Sequence, residues 1–143
     1  MARSEEPVRP EEYIPGRHQE INIITISDLH SQPIEIRDKL KRGEDFIVTW
    51  HKRAIFYIQH LTDKQKEAWD RDREPPEGVD EFIGIHSLRD AQRNEYLDNI
   101  REGRVYLFCV RKQVLGLLSN NIPERAGKLF EKWRKEKDAE DSR

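Results

Sequence analysis

The chain matches itself once along its length. Shifted by 60 residues it aligns Ser27 with Ser87, Glu35 with Glu95, Asp38 with Asp98, Gly43 with Gly103 and Lys52 with Lys112, and no gap is needed. Conservative pairs fill the intervals: Leu40 with Ile100, Phe46 with Tyr106, Ile47 with Leu107, Ile55 with Leu115, Ile58 with Leu118. A repeat constrains the fold more than any single motif, because the same supersecondary unit must then be built twice. Each copy has about 40 residues before a trailing helical segment, a unit too small to bury a core of its own. The expectation is an α+β protein: two tandem β-α-β-β-α repeats forming one domain with pseudo-twofold symmetry.

The elements follow from residue pattern. Ile21 to Ile26 is β-branched and bounded by polar residues, which predicts a strand. Ser27 is placed to cap a helix with Ile36 and Leu40 four apart, and Gly43 to stop it. Pro33 would break a helix begun at Ser27, which delays its start to about Gln32. Phe46 to Trp50 and Ala54 to Gln59 predict a hairpin across His51, Lys52 and Arg53, followed by a helix from Thr62 to Arg71. In the second copy the same elements fall at 81–86, 87–101, 105–110, 114–119 and 124–137. The layout is then an extended arm (1–20), a first unit (21–72), a linker (73–80) around Glu74-Pro75-Pro76-Glu77-Gly78, a second unit with the C-terminal helix (81–138), and a tail (139–143).

Composition narrows the function. A length of 143 residues excludes large catalytic scaffolds such as a (β/α)₈ barrel. Acidic and basic side chains nearly cancel to −2, so nucleic-acid binding would need a local basic surface. The single cysteine, Cys109, excludes an intramolecular disulfide and a cysteine metal cluster, and suits a reducing cytoplasm. No apolar stretch reaches the ~18 residues of a membrane span. His18, His30, His51, His60 and His86 are scattered without metal-ligand spacing, and no phosphate-binding glycine loop occurs. A cytoplasmic non-enzyme without cofactor or metal is expected.

Ile24-Thr25-Ile26-Ser27-Asp28-Leu29, Arg37-Asp38-Lys39-Leu40, Gly43-Glu44, Phe46-Ile47-Val48-Thr49 and His51-Lys52-Arg53-Ala54-Ile55 together resemble the Phd/YefM antitoxin family. Ser87-Leu88-Arg89-Asp90-Ala91, Tyr96-Leu97-Asp98-Asn99-Ile100, Gly103 and Val110-Arg111-Lys112-Gln113-Val114 resemble it a second time, as a tandem version. The resemblance implies a homodimeric antitoxin that binds operator DNA, represses its own operon and folds a C-terminal segment onto a toxin. Here one chain would carry both halves of the dimer. His30 and Asp90 stand where the family often has a basic residue.

Candidate DNA contacts are the two basic turns, His51, Lys52 and Arg53 in one and Arg111 and Lys112 in the other, presented to successive phosphates. Arg89 and Arg93 near the second helix start are further candidates. Leu129, Phe130 and Trp133 lie at helical spacing, as a packing face or as a stripe that lies in a partner's groove. The expected partners are double-stranded operator DNA and a cognate toxin protein, with further homo-oligomerisation and no membrane. The alternative is an adaptor or assembly protein that keeps the fold and binds protein instead of DNA.

Overall fold

The computed structural model describes residues 20–79, 81–88 and 93–141. Among these residues it is a mixed α and β protein with six strands in one sheet and five α-helices. The first block contributes β1 (Ile21–Thr25), α1 (Ile26–Ser31), α2 (Pro33–Lys41), β2 (Asp45–Trp50), β3 (Arg53–His60) and α3 (Asp63–Asp72). The second contributes β4 (Glu81–Gly84), a 3₁₀ turn (Ile85–Leu88), α4 (Arg93–Arg101), β5 (Tyr106–Val110), β6 (Gln113–Ser119) and α5 (Glu124–Asp141). The strand order is β1-β2-β3-β6-β5-β4, so the two blocks meet at β3 and β6 and share one sheet. β1 is parallel to β2 and β4 to β5; the remaining pairs are antiparallel.

Local chemistry explains the joints. β1 runs into α1 without a loop because its last residue, Thr25, is also the helix cap. Thr25 Oγ1 accepts from the Asp28 N–H at 3.0 Å, and Asp28 Oδ2 accepts from the Thr25 N–H at 3.1 Å. The cap is therefore Thr25 and not Ser27. Pro33 does interrupt the helix, yet the chain is helical on both sides of it: α1 ends at Ser31, and Pro33 opens α2 as its first residue. Gly43 (φ +89°) closes α2: its N–H donates to Leu40 O, and Glu44 N–H reaches back to Lys39 O. Gly103 (φ +104°) closes α4 with the same pair of bonds, to Ile100 O and from Arg104 N–H to Asn99 O.

The second block departs from expectation in two places. The strand expected through His86 ends at Gly84, and Ile85–Leu88 is a 3₁₀ turn where an α-helix was expected from Ser87. The ungapped offset of 60 also fails at the outer strands. Ile24 pairs with Val48 and Ile83 with Phe108, so the edge residues are 59 apart while their partners are 60 apart. Leu29 and Leu88, also 59 apart, are both fully buried on the same core. At the far end α5 continues through Asp141, beyond the expected start of the tail. The arm lies outside the described residues, except that Glu20 O accepts the Asp45 N–H.

Side chains alternate across the sheet and build two cores. On one face α1, α2, the 3₁₀ turn and α4 cover Phe46, Val48, Phe56, Ile58, Phe108 and Leu118. On the other, Ala126 and Phe130 of α5 cover Ile47 and Tyr57, with Trp133 packed alongside. No helix among the described residues is long and apolar enough to cross a membrane.

Candidate nucleic-acid interface

Both hairpins turn in two residues. Trp50 pairs with Arg53 around His51 and Lys52, and Val110 pairs with Gln113 around Arg111 and Lys112. All four turn residues are left-handed: φ is +53° at His51, +63° at Lys52, +51° at Arg111 and +69° at Lys112. Positive φ at both central residues is the geometry of a type I′ turn, whose twist matches that of the strands it joins. Asn-Gly is the residue pair such a turn favours, because a Cβ in the left-handed region costs roughly 1–2 kcal/mol per residue. Neither turn has a glycine. The chain accepts that strain and places a basic side chain or an imidazole at each position.

All five turn candidates (His51, Lys52, Arg53, Arg111 and Lys112) are exposed. Lys52 Nζ stands 3.8 Å from Asp138 Oδ1 on α5, an exposed pair that contributes little and is screened by salt. Beside the first turn sits a residue that sequence reasoning placed inside a strand and passed over. Trp50 is 46% exposed, and its ring centroid is 4.6 Å from that of His51, the planes tilted by 45°. The signal was a tryptophan directly preceding a basic turn. Val110, which precedes the second turn, is fully buried.

The β3–β6 register decides where the turns lie. Ile58 is opposite Leu118 and His60 opposite Gly116, so the strands overlap only by their C-terminal halves. The two turns therefore project from opposite ends of the sheet, roughly 40 Å apart at about 3.4 Å per residue. They cannot touch successive phosphates of one strand, as the sequence alone had indicated. Their separation is instead near one turn of a duplex, about 34–36 Å.

The other candidates are placed as follows. Arg89 lies outside the described residues; Arg93 opens α4, and its side chain is outside them too. Phe130 is buried against the α5 side of the sheet and stacks on Trp133 at 5.5 Å, so both pack inward; only Leu129, 38% exposed, is left for a partner.

A buried polar cluster, not foreseen from residue pattern, lies at the other end of the first hairpin. Asp45 Oδ1 accepts from the His60 backbone N–H at 2.9 Å and meets His60 Nδ1 at 2.6 Å, while Oδ2 accepts from Tyr57 Oη–H at 2.6 Å. Asp45 and His60 are buried, so the cluster is placed to clamp β2 to β3 rather than to meet a ligand. Cys109 is half-buried, and burial pushes its thiol pKa up, away from the thiolate that nucleophilic chemistry needs. No group of three metal-ligating side chains comes together among the described residues.

Comparison of the chain with family models, with curated proteins and with solved structures finds no match.

Proposed function

We propose that this protein is an antitoxin-like, DNA-binding regulator built as an intrachain pseudodimer, which grips a duplex at two points through its hairpin turns. The observation that carries this reading is the left-handed backbone at His51, Lys52, Arg111 and Lys112. Strain held at a defined position points to a role for the side chain that sits there. Here the side chains that replace Asn-Gly are those that bind phosphate.

Tandem repetition with pseudo-twofold symmetry is part of the same proposal. Its support is the register: the β2–β3 and β5–β6 pairs correspond residue by residue at an offset of 60, down to a bulge after Val48 in one and after Phe108 in the other. The slip at β1 and β4 is then a local change in one copy. A twofold axis normal to the sheet would present the two turns symmetrically to a duplex whose own twofold axes lie across its length. Toxin neutralisation has less to draw on, because Phe130 and Trp133 are turned onto the chain's own sheet.

The test is to write Asn-Gly at both turns, His51→Asn with Lys52→Gly and Arg111→Asn with Lys112→Gly. The variant is expected to unfold at higher temperature, by about 1–2 kcal/mol of stability per turn, and to bind duplex DNA more weakly in a gel shift at low salt. Higher stability with unchanged DNA affinity would remove the turns from the interface.

The adaptor reading has one observation in its favour. Phe82 on the edge strand β4 is 55% exposed and meets Trp69 of α3 edge-on at 5.4 Å, an apolar pair open to a protein partner. It becomes the better reading if the unaltered protein shows no salt-sensitive binding to any duplex.

A further inference from the structure

We infer that the first hairpin turn is a stacking site for an unpaired nucleobase, with Trp50 as its platform, and that it makes the two ends of the molecule bind nucleic acid differently. The inference rests on the nucleic-acid reading and adds to it a ligand that the duplex-gripping turns do not by themselves imply.

The geometry is particular to this end. Trp50 is the last residue of β2, and its pairing with Arg53 fixes its backbone in the sheet, so the ring is presented by a rigid element. Trp50 is 46% exposed although the neighbouring strand positions, Val48 and Thr49, are buried. At that exposure the side chain forgoes about half of the stabilisation that full burial of a large apolar side chain brings, on the order of 1 kcal/mol. The His51 ring packs against it, with centroids 4.6 Å apart and planes tilted by 45°. Lys52 and Arg53 follow at once in the chain, both exposed, and supply cations for the phosphates of a stacked nucleotide. Aromatic faces flanked by cations are how proteins hold unstacked bases, since every base offers a π-face and each nucleotide brings a phosphate.

A paired base inside a duplex cannot fill this site, because its faces are covered by its neighbours. The occupant is therefore a base from a single-stranded overhang, a gap or a flipped position. The second turn offers Arg111 and Lys112 but no aromatic platform, because Val110 before it is fully buried. That end is limited to phosphate contact. A molecule with one such end of each kind distinguishes the two directions of a duplex that is unpaired on one side.

The test compares a blunt duplex of about 14 base pairs, long enough to span both turns, with the same duplex carrying a short thymidine overhang on one end. The expected result is tighter binding of the overhang by about tenfold, the contribution of one stacked base. Quenching of tryptophan fluorescence should accompany it. Trp50→Ala should remove the preference and the quenching, so that the two duplexes bind alike, and Trp50→Phe should keep most of the preference. A melting curve checks that both variants fold. Equal binding of the two duplexes, or an overhang preference that survives Trp50→Ala, overturns the stacking site and leaves the duplex reading intact. Failure of the unaltered protein to bind either duplex overturns both.

Discussion

Ile58 lies directly opposite Leu118 at the centre of the sheet, and the two residues are 60 apart in the chain. The flanking pairs, Tyr57 with Ser119 and Gln59 with Leu117, exchange places when each residue is replaced by the one 60 positions away. An isologous contact has this property. These three pairs fit the pseudodimer proposed above, with the linker between α3 and β4 keeping both halves in one molecule, while the fourth pair, His60 with Gly116, has no counterpart at Phe56 and Asn120.

Gly116 sets how closely the halves approach. A Cβ there would stand 2.5 Å from Gln59 O, a backbone atom that cannot swing aside. Gly116→Ala should therefore push β6 from β3 and cost about 2–3 kcal/mol, as overpacking of a tight site does. Urea unfolding measures it. A loss below ~0.5 kcal/mol would mean the central pair can part without consequence.

The inner strands could be read from the sequence because their evidence is local. Apolar alternation, two basic turn residues and a helix-ending glycine each depend on a few neighbours, and Gly43 and Gly103 have the positive φ their position demands. The outer strands could not be read so well. Matching Ser27 to Ser87 is attractive by identity, but packing aligns Leu29 with Leu88 instead, since both must reach the core. A strand's faces alternate with period two, so that single-residue slip decides which side chain points inward, and identities cannot report it. Of the site, the basic turns were legible as sequence; their left-handed strain and their spacing of roughly 40 Å belong to conformation and register. Trp50 was hidden for a similar reason. It reads as the end of an apolar strand until its exposure is known.

The Asp45 cluster should carry stability. One carboxylate serves Tyr57 Oη, the His60 N–H and His60 Nδ1, and both Asp45 and His60 are buried. Asp45→Ala strips three groups of a shared acceptor and should cost about 3 kcal/mol or more. Tyr57→Phe removes one bond and should cost about 1 kcal/mol. Equal losses in chemical denaturation would contradict a cluster centred on the carboxylate.

Cys109 should alkylate slowly. Burial raises its thiol pKa above the ordinary value, so the reactive thiolate is scarcer at any pH near neutrality than in an unfolded chain. The rate with iodoacetamide should rise with pH through a midpoint above that of the denatured protein. The linked effect has a definite sign. The shift contributes stability below the unfolded thiol's pKa, and that contribution is lost as pH rises through the folded one. Rapid labelling of the native protein at neutral pH would show a more accessible thiol than this packing allows.

Spacing and charge give the last prediction. Turns roughly 40 Å apart need a duplex of about 12 base pairs, at about 3.4 Å each, to be engaged together. Duplexes of roughly 8 base pairs should reach one turn only, so affinity should step upward between these lengths instead of growing evenly. Each phosphate contact contributes about 0.9 to the slope of log affinity against log salt. Replacing Lys52 and Arg53 with Ala should flatten the slope on the long duplex by up to about 1.8, and so should replacing Arg111 and Lys112. Either pair alone should remove the length step, because one anchored end gains nothing from the remaining DNA. All four together should abolish salt-sensitive binding while the fold persists, exposed turn charges contributing little to it. Titrations of the unaltered protein and the three variants against both lengths measure these quantities. A smooth length dependence in the unaltered protein would mean the two ends never hold one duplex at once.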